Sequence, residues 1–363
     1  MEETIAKSGE QPVFTVLVAA YNAEATIGRC LDSLLAQTER RIQIVCVDDA
    51  SSDYTFEIMC EYSDRDSRVD AYSLGENEGS GAARNVGLER ARGRYTVFLD
   101  SDDWFSPDAL EKCREAFEAD ERVDCVLFRV VNVYDDGGRQ TEHAGNMSGT
   151  ISGQEAFERS LTWAIHGVYA VRTSLHLRFP YDDTCRTYSD DNTTHFHYLN
   201  SRLVGSCTGT YYYYQHAGSV THTDDLSRLD RLTAMKVMKW ELERLNVGDR
   251  LIGIYETQRW LVVIDSCFLI YRNKARLSKE ELWNALLDVE YHWEEIELWR
   301  VPRRVRWRPG LWPMRFSTGK IPHTLSLFLS IGKIPWPVFL SWRLFWLQER
   351  VYFALRRLFG RDR

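Results

Sequence analysis

Three acidic clusters in this 363-residue chain have residue types and spacings that can do chemistry. Asp100–Ser101–Asp102–Asp103 places three carboxylates directly after the apolar run Tyr95–Leu99. A solvated acidic turn is one account of it. The other is that concentrated negative charge recruits a cation, and hard oxygen ligands suit Mg2+ or Mn2+. Such an ion neutralises a diphosphate and stabilises a departing phosphate. Asp48–Asp49–Ala50–Ser51–Ser52–Asp53 closes a second apolar run. Ser52 or Asp53 serves there as a helix cap. A cap does not explain the two acids before them, whose mutual repulsion has a cost. A carboxylate at that place can accept the imide N–H of a uracil-type base or a sugar hydroxyl. Ser189–Asp190–Asp191 is the third cluster and, taken alone, reads as ordinary surface.

Asn77–Gly87 (NEGSGAARNVG) looks like a dinucleotide loop but fails that test. The pattern GxGxxG would need glycine where Arg84 stands, and the stretch opens the third helix rather than the first. Its small residues fit close packing of a helix on a sheet. Arg84 and Asn85 either brace a site or contact a nucleotide.

The elements that must position these groups alternate between two periods. Val13–Ala20, Ile42–Val47, Val69–Leu74, Tyr95–Leu99 and Asp124–Val131 read as strands, the first two as strands buried on both faces. Ala23–Gln37 carries Ile27, Leu31, Leu34 and Leu35 at helical spacing. Further helices are predicted over about Asp53–Tyr62 and Ser80–Ala91, and one is predicted to start at Ser106–Pro107–Asp108 as N-cap, N1 and acidic first turn. Strand–helix alternation predicts right-handed crossovers and a parallel sheet, with ligands beyond the carboxyl ends of the strands. Residues 154–162 look helical, Ser201–Tyr214 returns to strand, and about Leu226–Trp299 reads as helical with a break near Asn246–Gly248.

Composition narrows the classes. Hydrophobic residues are 44% and charged residues 27%, as in ordinary globular chains, and the length suits two or three domains. The net charge of −8 argues against a nucleic-acid binder. Eight cysteines without any CxxC spacing read as reduced core thiols of a cytosolic protein. The polar start MEETIAKSGE does not read as a signal peptide, and no uninterrupted apolar run reaches spanning length. Residues 300–363 hold fourteen Arg and Lys against Glu349 and Asp362, a charge of +12 that leaves −20 on the rest.

The segments FTVLVAAYNAEATIGRCLDSLLAQT, IVCVDDASSDYT and NEGSGAARNVGLERARGRYTVFLDSDDWFSPDAL, in this order, resemble the GT-A glycosyltransferases of family 2. The resemblance is continuous over about residues 13–125 and thinner to about 222. It implies an α/β nucleotide-diphospho-sugar transferase fold, a Rossmann-like mixed sheet flanked by helices, here with a C-terminal helical extension. It also implies inverting transfer of a sugar from a nucleotide diphosphate to an acceptor hydroxyl with Mg2+ or Mn2+. Asp49 matches the acid that holds the nucleobase, with Ala19 and Tyr21 beside that pocket. Asp100, near the ribose, Ser101 and Asp102, the main metal ligand, match the family's DxD, and Asp103 assists. Asp191 matches the general base, with Asp190 in place of a Glu. His216, at the end of the strand, matches a position where some members supply a further metal or diphosphate ligand, and is otherwise a surface His. Arg84 is placed with the nucleotide-binding residues. Ala19 replaces a Pro or Thr common in the family, and Tyr214–Gln215 lacks an Arg often found there.

These readings divide the chain into an N-terminal tail (1–12), a catalytic domain (13–222), a helical extension (223–300) and a basic aromatic tail (301–363). Residues 321–347 are largely apolar but broken by Lys333, Pro335, Pro337 and Arg343. Residues 342–358 then interleave Trp and Phe with Arg, which suits an anionic membrane interface; packing on the catalytic domain or a second subunit is the alternative. The expected partners are a nucleotide-diphosphate sugar, with a UDP-sugar favoured, a glycan or lipid-linked acceptor, and the inner face of the cell membrane, with no nucleic acid. Rival readings are a sugar nucleotidyltransferase and a membrane-bound nucleotide-sugar scaffold. The first lacks its N-terminal Gly-rich loop in Val13–Asn22, and intact Asp102 and Asp191 disfavour the second.

Overall fold

A computed structural model describes residues 11–136, 138–185, 187–188, 190–216 and 226–306. Ser189 and the amphipathic stretches assigned to residues 321–358 lie outside these. The chain divides into two compact units, residues 1–223 and 224–363.

The first unit opens with β1 (Phe14–Ala20), α1 (Ile27–Leu35), β2 (Ile42–Asp48), α2 (Thr55–Arg65), β3 (Val69–Ser73), α3 (Ser80–Leu88) and β4 (Tyr95–Phe98). Every residue of β2 is buried and all but one of β1, as their continuous apolar runs require. On one face Ile27, Cys30, Leu31 and Leu34 of α1 join the strand side chains Val16, Val18, Ile44 and Cys46 in one core. On the other, Ala83 and Leu88 of α3 meet Leu17, Val45 and Val47. Gly87 makes that approach possible, since a Cβ there would stand 3.2 Å from Leu17 Cδ2 and 3.5 Å from Val45 Cγ1. The close-packing account of the small residues therefore holds at Gly87.

The unit continues with β5 (Trp104–Phe105), α4 (Ala109–Ala119), β6 (Val123–Tyr134), β7 (Gln140–Glu142), β8 (Ile151–Ser152), α5 (Gly153–Ser160), β9 (Tyr169–Arg172), α6 (Thr173–Arg178), α7 (Asp190–Leu199) and β10 (Leu203–Gln215). One sheet runs β3-β2-β1-β4-β9-β6-β10-β5, with β7 beside β6 and β8 beside β10. The expected parallel pairing holds for β1 with β2 and β4, for β2 with β3, and for β6 with β10. It fails at β9, which is antiparallel to both β4 and β6, and at β5, antiparallel to β10. The sheet is therefore mixed. Both strands are short, four and two residues, and β5 follows β4 with no helix between them, whereas α5 precedes β9. α4 starts at Ala109, later than the Ser106 cap predicted. Ser106 Oγ donates to Asp108 instead.

The second unit holds α8 (Asp230–Arg244), α9 (Asp249–Asn273), α10 (Lys279–Glu294) and the short α11 (Arg303–Arg306). The expected break falls at Asn246 and Gly248, both with positive φ (50° and 93°). A second break, before α10, was not anticipated. Ser278 and Glu281 make a full capping box there. Among the described residues no helix is long and apolar enough to cross a membrane.

Candidate active site

The carboxyl ends of β1, β2, β3 and β4 share one edge of the sheet, because these strands are parallel neighbours. Two of the acidic clusters stand there.

Asp49 follows β2 and is buried. Its Oδ1 accepts the Glu78 N–H (2.7 Å) and its Oδ2 the Gly79 N–H (2.9 Å). The Asn77 side-chain amide donates to its carbonyl at 3.3 Å. Asp49 thus moors the loop into α3, and Gly79, at φ 97°, is the residue that permits the turn. Asp48 accepts the Ser51 N–H (3.2 Å) and the Ser73 hydroxyl (3.0 Å). Asp53 has the capping role expected of it, accepting the Thr55 N–H at 3.1 Å.

Asp100 to Asp103 form the turn after β4, and their three carboxylates face different partners. Arg84, buried on α3, donates to Asp100 Oδ1 and to Asp190 Oδ2, each at 2.6 Å. Its guanidinium carbon lies 4.6 Å from the Phe98 ring centroid. Burial alone would depress this guanidinium's pKa; Asp100 and Asp190 overcome that and raise it. The Asp100 carboxyl is pushed up by burial and by Asp102, against the pull of Arg84. Of the two readings of Arg84, the brace is the one these contacts describe. It joins the strand end to α7, whose first turn carries Asp190 and the half-buried Asp191.

Asp102 Oδ2 and His216 Nε2 stand 2.8 Å apart. The sequence named these two as metal ligands, and the structure brings them together across 114 residues. Asp103 departs from its expected assisting role. It is fully buried, takes the Tyr211 hydroxyl at 2.5 Å and the Tyr214 N–H at 2.7 Å, and so fastens β10 to the turn. Burial, then Asp100 and Asp102, push its carboxyl well above the ordinary range.

Ala19 lies near the end of β1 beside Val47 of β2, and Tyr21, 52% exposed, follows it. Ser101 is half-buried in the turn. Asp49 is held by the loop at Glu78 and Gly79, apart from the Arg84 network. Sequence reasoning missed Arg29 of α1, whose guanidinium donates to the Asp102 carbonyl at 2.6 Å and lies 4.1 Å from the Trp104 ring centroid. On a helix read only for its apolar stripe, a lone arginine gives no signal. It also missed α7 as a helix, because that helix buries His195, His197, Asn192 and two threonines rather than an aliphatic stripe.

The sequence profile described as Glycosyl transferase family 2 matches residues 15–182, which contain β1 to β4, both acidic strand ends and Arg84. That match takes in somewhat under half of the 363 residues. The chain is similar to EpsH of Bacillus subtilis (strain 168), 40% identical over 130 residues, which are 36% of this chain and 37% of EpsH. It is similar to the chondroitin synthase of Escherichia coli, 36% identical over 126 residues, 35% of this chain and 18% of that one. The chain thus aligns with little more than a third of these relatives at most. The likeness to a solved structure runs further. The crystal structure of S. aureus TarS 1-349 in complex with UDP-GlcNAc matches with a TM-score of 0.66 and 20% identity, over 88% of this chain and 92% of that one. At that identity the match shows the fold, a GT-A mixed sheet flanked by helices, followed by a helical region.

Proposed function

We propose that the chain is a metal-dependent inverting glycosyltransferase. It moves a sugar from a nucleotide diphosphate, with a UDP-sugar favoured, to a hydroxyl of a glycan or lipid-linked acceptor in surface polysaccharide synthesis. One observation carries the reading: Arg84 ties the Asp100 turn, on which Asp102 meets His216, to the first turn of α7, which bears Asp191. A site for the leaving diphosphate and a candidate base are thereby fastened to one buried cation. The UDP-GlcNAc named with TarS, the likeness to a chondroitin synthase and the family 2 match support the donor class and the pathway type.

The residues fit a divalent cation. Asp102 and His216 offer an oxygen and a nitrogen 2.8 Å apart. Among the described residues no set of three His, Cys, Asp or Glu converges, so phosphate oxygens and water would complete the shell, the habit of hard cations on few protein ligands. The bound ion would neutralise charge on the departing diphosphate. Asp191 accepts the proton of the acceptor hydroxyl as that oxygen attacks the anomeric carbon from the face opposite the leaving group. Asp100 stands toward the ribose. Asp49, with lone pairs beyond the two its loop uses, accepts from the base. The basic aromatic tail, whose arginines and tryptophans suit an anionic surface, would hold the enzyme on the inner face of the membrane.

Thermal melting with UDP-, GDP-, CMP- and dTDP-sugars, with and without Mn2+, tests the reading. A UDP-sugar that raises the melting temperature only with Mn2+ is the expected result. In Asp191→Asn that shift should persist while transfer is lost. Stabilisation by a donor that ignores Mn2+ would refute the metal role, and full transfer by Asp191→Asn would refute the base.

A further inference from the structure

We propose that Arg29 is a positioning residue for the Asp102–His216 pair, setting its affinity for a divalent cation; this rests on the metal-dependent reading above. Arg29 lies on α1, outside all three acidic clusters. Its guanidinium carbon is 4.1 Å from the Trp104 ring centroid and 4.5 Å from that of Tyr214. The two rings are 6.2 Å apart and tilted by 54°, so the planar cation fills the wedge between them. From that wedge it donates to the Asp102 main-chain carbonyl at 2.6 Å.

The circuit closes on the metal pair. Tyr214 stacks on His216, with centroids 5.1 Å apart and planes 26° from parallel. His216 Nε2 meets Asp102 Oδ2 at 2.8 Å. Asp102 is therefore held at its carbonyl by Arg29 and at its carboxylate by His216, and both holders rest on the Tyr214 ring. Within the turn itself the Asp103 N–H donates to the Asp100 carbonyl at 3.0 Å, which sets the backbone at Ser101 and Asp102 and leaves the Asp102 carbonyl to Arg29. Arginine suits the place because its planar fork stacks and donates at once, whereas lysine offers a compact charge without a face.

Outer contacts of this kind typically cost about 10–100-fold in metal affinity when removed. Mn2+ binding in the presence of UDP, followed by the EPR signal of free Mn2+, reads the effect without turnover. Arg29→Ala is expected to bind Mn2+ about tenfold more weakly, with a metal-free melting temperature near wild type. Arg29→Lys should fall between the two, and Trp104→Leu, which removes one wall of the wedge, should weaken binding as Arg29→Ala does. In transfer assays the half-saturating Mn2+ should rise by the same factor, with kcat at saturating metal largely retained. Wild-type Mn2+ affinity in a folded Arg29→Ala overturns the proposal. If Arg29→Ala fails to fold, wild-type affinity in Arg29→Lys overturns it. No Mn2+ binding by the wild-type protein with UDP is a different failure, of the metal reading itself.

Discussion

The two acidic clusters at the sheet edge look alike in sequence and are held by different means. Asp49 is satisfied by two backbone N–H groups of the next loop. Asp100 and Asp102 are satisfied by side chains, Arg84 and His216, brought from elsewhere in the chain. Backbone donors cannot swing away, so they fix a carboxylate as part of the scaffold. Side-chain partners can exchange for a ligand. Histidines divide in the same way. His216 stands at the edge beside Asp102, whereas His166, His195 and His197 are buried, with His195 bonded to Ser160 and His197 to Tyr169.

The largest test of this contrast is acid. Burial pushes His166 and His195 down to about 3 and His197 down to about 4. Unfolded histidines titrate near 6.5, so between that pH and the depressed values the unfolded chain binds more protons. The stability these neutral rings confer is complete above pH 6.5 and is lost as pH falls below it. At pH 5 the loss is about 2 kcal/mol for each ring, about 6 kcal/mol for three, against a typical total of about 5–15 kcal/mol. Circular-dichroism melts from pH 7.5 to 5 should show a steep fall in melting temperature. A flat profile would mean these rings titrate normally and are not scaffold. Asp102→Asn comes next. Removing the anionic ligand should lower kcat by about a thousandfold, about 4 kcal/mol of charge stabilisation, while the melting temperature stays close to wild type. A large loss of stability instead would place Asp102 with the scaffold carboxylates. Asp49→Ala should differ from Asp102→Asn by losing stability along with donor affinity. It strands two backbone donors, about 3 kcal/mol, or about 6–12 °C in the melt of a unit this size. Were donor affinity lost with the melting temperature unchanged, Asp49 would serve the base without mooring the loop.

The strand–helix alternation from β1 to α4 was legible because buried parallel strands leave continuous apolar runs and α1 leaves a clean apolar stripe. The strand ends then marked the acidic clusters at Asp48–Asp53 and Asp100–Asp103, and the family resemblance singled out Asp49, Asp100 and Asp102 within them. β9 was not legible, since its four residues, Tyr169–Arg172, are too few to show a period. α7 was not legible because its buried face is polar, satisfied by Ser160, Tyr169 and other partners distant in sequence. Asp103 misled for a related reason. Three consecutive-looking acids share one motif, yet only the fold reveals that Tyr211 and the Tyr214 backbone draw one of them inward. Pairings such as Arg84 with Asp190, 106 residues apart, have no local signature at all.

Arg84 gives the smallest effect and the sharpest separation of roles. Arg84→Met keeps the length and the apolar stem over Phe98 but leaves Asp100 and Asp190 without their shared cation. Breaking a buried pair costs about 3–5 kcal/mol, and the 37% and 28% exposure of the two carboxylate side chains reduces that to about 2 kcal/mol by solvent screening. The kinetic consequence has a definite sign. In the folded protein burial and Asp102 already raise Asp100, and Arg84 is what opposes them. Without Arg84 the Asp100 carboxyl must rise further and hold its proton to higher pH. The acid limb of the pH–rate profile should therefore move toward neutrality, with activity at high pH recovering much of its wild-type value. If the variant lost activity equally at every pH, Arg84 would contact the reacting groups themselves rather than hold the charge state of the turn and the seat of α7.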